Sequence, residues 1–165
     1  MASWISSCKK IVHMDFHMPE FPRDAIRNFD PVSFVAELRR AGVDAVAIFA
    51  KDHFGMSFYP TEVGHMHQGL QQDFLGGVLA ETHKHHIKVL AYLSAGWDQY
   101  NIRNNPDWKQ CGRDGKPLLK DAEWEWGCLN SPYKEESIFA QIREICDLLN
   151  TTYDKFIRTT DDYHE

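Results

Sequence analysis

The sequence predicts an α/β chain with a parallel sheet, built as a partial TIM (β/α)8 barrel comprising its first three to four βα units. Three observations point there. A short apolar run, a polar loop and an amphipathic helix recur three times along the 165 residues. The crossovers between runs are long enough to hold helices, as parallel strands require. The loops after the runs carry nearly all the His, Trp and acidic residues, and barrels build their sites on those loops. A doubly wound sheet also fits the grammar, but no G-x-G-x-x-G follows any run, which weakens its dinucleotide-binding form.

The first run is Lys10-Ile-Val-His-Met-Asp-Phe-His17, whose β-branched and aromatic residues suit a strand. A loop with Pro19 and Pro22 follows. Asp30-Pro31 then opens a helix, with Asp30 as N-cap and Pro31 in the first helical position. Phe34, Val35, Leu38 and Ala41 fall on one helical face, and Gly42 ends the element. The second run, Asp44–Phe49, is continuously apolar, as strands covered on both faces are. Its helix is expected from about Gln71 to His85, with Phe74, Leu75, Val78, Leu79 and Thr82 inside. The third run is Ile87–Leu93. A segment from Ser94 to Asn130 follows, rich in Trp, Asp, Glu and Gly, and its Trp124-Glu-Trp126 reads as a hairpin-like excursion. Ser131-Pro132 with Glu135 and Glu136 starts a last helix to about Leu149, with Ile138, Ile142, Ile145 and Leu149 as its core face. Three segments result: an N-terminal extension over 1–9, the barrel part over 10–150, and a polar tail over 151–165 that has no clean apolar strand.

Composition bounds the function. The chain is 43% hydrophobic and 25% charged, with 18 Lys and Arg against 24 Asp and Glu, a net charge of −6. That is globular composition, and the acidic balance argues against a nucleic-acid or anionic-membrane surface. No run approaches the roughly 18 apolar residues of a membrane span, and the N-terminus lacks a signal-peptide core. A soluble cytoplasmic protein is expected. Cys8, Cys111, Cys128 and Cys146 lie far apart with no C-x-x-C, so reduced thiols are expected rather than a metal or redox motif. The sequon at Asn150 carries little weight without a secretion signal.

Several collinear stretches between about residues 10 and 150 resemble glycoside-hydrolase barrels, specifically the α-L-fucosidase-like group and its glycosyl-hydrolase relatives. They are His13-Met-Asp-Phe-His17, Phe29-Asp-Pro-Val-Ser-Phe34 and Ala41–Gly55, the last resembling a strand that runs into Lys-His-His-Asp-Gly. Asp52 stands where that pattern has its first His, and Phe54 where it has Asp. Tyr59-Pro-Thr61, Lys88–Trp97, Asn105-Pro-Asp-Trp108 and Cys128–Tyr133 also look like the relatives. The resemblance implies a glycoside hydrolase; a retaining one needs two carboxyl groups roughly 5 Å apart. It places the nucleophilic Asp at the end of a fourth strand. Tyr153-Asp154 resembles the start of that pattern, and Asp161 and Asp162 lie near the expected distance, but no apolar strand positions them. The chain thus reads as the front part of a larger enzyme, with a frameshift, mis-splicing or early stop near Asp154, and little or no catalysis is expected from it alone. No catalytic residue is assigned.

The remaining candidates are substrate-binding: His17, Lys51, His53, Tyr59, Trp97 and Asp98 follow strand ends and supply the donors, acceptors and aromatic faces a sugar needs. Each has a plainer reading. His13, Asp15 and His17 share one strand face and can be hydrogen-bonded interior groups. Lys51 can be a solvated loop charge, Tyr59 a packing residue, Trp97 a loop anchor and Asp98 a turn or helix cap. His83, His85 and His86 read as a solvated helix end. No cofactor or metal is expected, since His65-x-His67 has no third ligand in register. The expected partner is a carbohydrate substrate, with self-association through uncovered barrel edges. One alternative is a metal-dependent hydrolase or deacetylase using Asp15, His17 and His53. Another is a non-catalytic, carbohydrate-binding half-barrel.

Overall fold

A computed structural model describes residues 4–21, 26–118 and 125–149. The chain divides into two compact units. The sheet unit comprises Met1–Asp52, Met56–Pro60 and Met66–Leu93, and the loop unit comprises His53–Gly55, Thr61–His65 and Ser94–Glu165.

In the sheet unit, β1 (Ile11–His13) and β5 (Lys88–Leu93) flank β2 (Ala45–Lys51), and both pairings are parallel. Consecutive long strands are therefore neighbours, the order in which a (β/α)8 barrel begins. The short β3 (Met56–Ser57) adds an antiparallel pairing at Lys51 and Ser57, and β4 (His65–Met66) follows it in the sheet order. Helix α1 (Pro31–Arg40) and helix α2 (Phe74–Lys84) are the crossovers. Val35 and Leu38 of α1 meet Val43, Val46 and Ile87, with Val12, Met14, Phe34 and Val89 at the edge of this aliphatic core. Period-two alternation sends His13, Phe49 and Tyr92 to the opposite sheet face. There Phe49 and Tyr92 stack at 4.2 Å, and the His13 ring lies 5.8 Å from Phe49 and 6.0 Å from Tyr92.

The helix limits follow from their caps. The Asp30 carboxylate accepts from the Val32 and Ser33 amides, and Pro31 needs no amide partner. Ala41 is exposed rather than inside, because the helix has already ended there and Gly42 turns away at φ +66°. Helix α2 starts three residues later than the periodicity suggests because Asp73 caps it, accepting from Gly76 N at 2.8 Å. Its inner stripe of Phe74, Leu75, Val78, Leu79 and Thr82 is buried as expected.

Strand β1 is the largest departure here, since the sequence reads as a strand through His17. Its last ladder bond is Met14 N to Ala47 O at 2.9 Å. Beyond it the Met18 amide donates to the Asp52 side chain instead of to β2. At the other end, the Asp44 carboxylate fixes the entry to β1 by accepting from the Lys9 and Lys10 amides.

The loop unit has little regular sheet. Helix α3 (Gln99–Asn104) is followed by a 3-10 turn over Pro106–Trp108. Isolated antiparallel bridges join Trp97 to Trp126 and Lys109 to Gly127, which bears out the hairpin-like excursion at Trp126; Trp124 lies outside the described residues. The last helix is π-wound over Lys134–Phe139 and continues as α4 (Ala140–Leu148). The i→i+5 winding shifts the helix phase. Ser137 and Gln141 are buried beside Ile138 and Ile145, while Ile142 and Leu149 are only half-buried. The tail, with Asp154, Asp161 and Asp162, lies outside the described residues. Among the described residues no helix is long and apolar enough to cross a membrane.

Candidate functional site

The sheet unit holds three of the expected site residues. His17 follows β1; its Nε2 lies 3.2 Å from Asp15 Oδ1 and its ring sits edge-on to Phe49 at 5.2 Å. The His13 and His17 rings both meet Phe49, although β1 ends at His13 and strand periodicity does not carry on to Asp15 and His17. Lys51, the last residue of β2, is fully buried, which removes the solvated-loop reading. An ammonium is held in such a place only when polar groups receive it. Tyr59, after β3, is also fully buried.

Asp52 and His67 of this unit are also 0% exposed. Asp52 accepts from Met18 N at 2.8 Å and from Met56 N at 3.0 Å. His67 Nδ1 accepts from Gly69 N at 2.9 Å and its Nε2 faces Pro19 O at 3.2 Å. The amide at Nδ1 leaves the proton on Nε2, which therefore donates to the Pro19 carbonyl. Sequence reasoning noticed Asp52 only as a departure from a pattern and His67 only as half of a metal motif. The first signal was available, because an acid directly after a buried strand end has loop amides to bind.

The loop unit holds the other three. The His53 ring is 4.5 Å from Trp97, and Trp97 is 4.9 Å from Trp126. The carbonyls of His53 and Phe54 accept from Gln99 N and Tyr100 N, so this short loop seats the start of α3. Ser94 Oγ closes the Ser94–Trp97 turn by donating to Trp97 O at 2.8 Å. Gly96 lies against the Trp126 ring, where a Cβ would come within 2.8 Å of Cζ3.

Asp98 is fully buried and caps α3. It accepts from Asn101 N at 3.1 Å, Asn101 Nδ2 at 2.8 Å and Tyr133 Oη at 3.0 Å. Burial first, then the neighbouring Asp98 charge, pushes the Tyr133 phenol far above its usual range, so it stays a donor. Glu144, missed in the sequence, receives Thr61 Oγ1 at 2.6 Å and Glu62 N at 2.7 Å and so ties down residues 61–62. His65 stacks on Tyr100 at 3.9 Å. Among the described residues no three His, Cys, Asp or Glu converge as a metal-binding group, so the metal-hydrolase alternative gains no ligand set from them.

Parallel strands in chain order, with helices as their crossovers, define the opening part of a TIM barrel. The family model described as hypothetical glycosyl hydrolase 6 matches residues 30–155, and the chain belongs to that family. Among solved structures, α-L-fucosidase isoenzyme 2 from Paenibacillus thiaminolyticus is 28% identical, with a TM-score of 0.75, over 82% of this chain and 21% of that one. The α-fucosidase of Thermotoga maritima, at 18% identity and TM-score 0.55, is matched over 74% of this chain and 27% of its own length. A hypothetical protein from Ruminiclostridium thermocellum, at 15% identity and TM-score 0.59, is matched over 72% of this chain and 64% of its own. The last two share the fold alone. No match was found among curated proteins. The chain spans about a fifth of the Paenibacillus fucosidase it resembles.

Proposed function

We propose that the chain supplies the sugar-binding front of a glycoside hydrolase acting on O-glycosidic bonds of a fucose-like sugar. The observation that carries this reading is the His53–Trp97 pair, with ring centroids 4.5 Å apart. An imidazole beside an indole offers a hydroxyl partner next to an aromatic face, the combination a pyranose needs. His53 also sits in the Ala-Lys-x-His-x-Gly stretch that resembles the fucosidase pattern, and the Paenibacillus enzyme supports the same sugar class.

In the loop unit, His53 and Trp97 contact the sugar, and Asp98 holds Trp97 in place through its cap and its Tyr133 bond. In the sheet unit, His17, oriented by Asp15, serves hydroxyl recognition, while the fully buried Lys51 and Tyr59 offer a sugar no surface. Hydrolysis through an oxocarbenium-like transition state needs a carboxyl nucleophile and an acid/base partner. The resemblance assigns that nucleophile to a fourth strand, so His17, His53 and Trp97 are the residues that bind the sugar rather than cleave it. The reading also proposes that uncovered strand edges favour self-association and limit stability. Size-exclusion chromatography that gives a monomer with a sharp thermal transition would reject that part.

The test is to titrate the chain with L-fucose while following tryptophan fluorescence, and to assay p-nitrophenyl α-L-fucoside hydrolysis in parallel. Saturable quenching, absent in His53→Ala, with no turnover above buffer, is expected. Turnover abolished by His53→Ala would show that the chain is a working enzyme. Absence of any saturable response would reject the sugar reading.

A further inference from the structure

The backbone directly after His17 is held by two buried polar side chains that come from later in the chain. On one side the Met18 amide donates to Asp52 at 2.8 Å; on the other the Pro19 carbonyl faces His67 Nε2 at 3.2 Å. Both side chains are 0% exposed and both are fastened themselves. Asp52 also takes the Met56 amide, and its own amide donates to Met56 O at 3.1 Å. His67 takes Gly69 N and lies nearly parallel to the Phe58 ring. Met18 and Pro19 leave the β1 ladder behind, so these bonds replace strand pairing as what fixes their path.

From this geometry we infer that Asp52 and His67 form a two-sided clamp on Met18–Pro19 and act as positioning residues for His17. The inference rests on the sugar-binding reading for its functional meaning. His17 sits between a backbone gripped by the clamp and a ring held by Asp15 and Phe49. A buried carboxylate receiving two backbone amides is a charge-assisted acceptor, stronger than a neutral one. At position 52 the fucosidase-like pattern has an imidazole; the carboxylate here is turned inward to amides.

Amide hydrogen exchange and His ring resonances of the full chain test this without any sugar. In Asp52→Ala the Met18 and Met56 amides should exchange about tenfold or more faster, the scale of a lost hydrogen bond to a charged group. The His17 ring signals should move, while Val46 and Leu75 keep their protection. Asp52→Asn retains one acceptor and should recover part of the Met18 protection. His67→Phe keeps the ring volume against Phe58 and should also move the His17 signals. Unchanged His17 signals in a folded Asp52→Ala chain would overturn the clamp. If that variant unfolds, unchanged His17 signals in His67→Phe overturn it equally. L-fucose titration separates the two ideas: a wild-type chain that ignores fucose rejects the sugar reading, whereas the clamp stands or falls on the sugar-free signals. Where fucose binds, the folded clamp variants should bind it about tenfold more weakly.

Discussion

The two compact units are held together by different physics. The sheet unit rests on aliphatic burial: Val35, Leu38, Val43, Val46 and Ile87 form one cluster, at roughly 25 cal/mol per Å² of apolar area removed from water. The loop unit rests on close approach and a polar hub. Gly127 lies under the Tyr133 ring, Gly55 lies against Asp98 and Tyr100, and Asp98 gathers donors from Asn101 and Tyr133. A packed strand–helix layer is damaged by truncation. A hub built on glycine contacts and one buried carboxylate is damaged by added atoms and by lost hydrogen bonds.

The largest expected effect is Leu75→Ala in the sheet unit. Leu75 is fully buried in α2, and its truncation should cost about 3 kcal/mol of apparent unfolding free energy in urea. A cost below about 1 kcal/mol would mean that the site relaxes as a surface position does. Next comes Gly127→Ala, whose methyl would collide with the Tyr133 ring, including Cζ at 2.9 Å. Overpacking there should cost about 2 kcal/mol, although the substitution adds apolar surface. Tyr133→Phe removes only the hydroxyl that serves Asp98 and should cost about 1 to 2 kcal/mol.

Protonation separates the units further. In the sheet unit, Asp30, Asp44 and Glu81 all lie below the ordinary carboxylate range. The leading causes are the Ser33 hydrogen bond for Asp30, the Lys9 amide for Asp44 and the Lys84 hydrogen bond for Glu81. Their contribution is complete above the unfolded values of about 4 and is lost as pH falls through the lowered folded ones. Tyr133 in the loop unit is shifted upward, so its contribution is complete below its unfolded value of about 10 and is lost as pH rises beyond that. Amide exchange at pH 3 to 4 should therefore weaken protection first around Asp44, and exchange above pH 10 first around Asp98, roughly the windows that linkage sets. Tyr133→Phe should remove the alkaline loss and leave the acid one. The smallest effect is expected at His86, two residues past the end of α2 at φ +58°; His86→Gly should stabilise by about 0.5 kcal/mol in thermal melts.

The same contrast governs what the sequence discloses. Strands β2 and β5 and helices α1 and α2 are legible because burial on a regular element leaves a period, and Asp30-Pro31 announces its own helix start. The β1 strand is shorter than its composition suggests: its ladder ends at the Met14 amide, and Met18 beyond it is held by Asp52, a contact across 34 residues that no local pattern contains. The π-wound turn before α4 is likewise invisible to a 3.6-residue period, so the expected core face at Ile142 and Leu149 is displaced. Among the candidate residues, His53 and Trp97 stand out singly by motif and strand end, but their ring contact is not legible in the sequence. Nor is the burial of Lys51, because a lysine after a strand looks the same in sequence whether or not its surroundings cover it. Asp98 as a helix cap was legible; the tyrosine on its other oxygen was not.

We propose that His53 and Trp97 hold a fucose-like sugar. Isothermal titration of L-fucose into the wild-type chain and into Trp97→Ala and His53→Ala, each first shown to be folded by amide protection, tests it most directly. Saturable heat from the wild type, with affinity about tenfold weaker or lost in each variant, is the predicted result. Equal binding by all three chains, or no binding by the wild type, would contradict it.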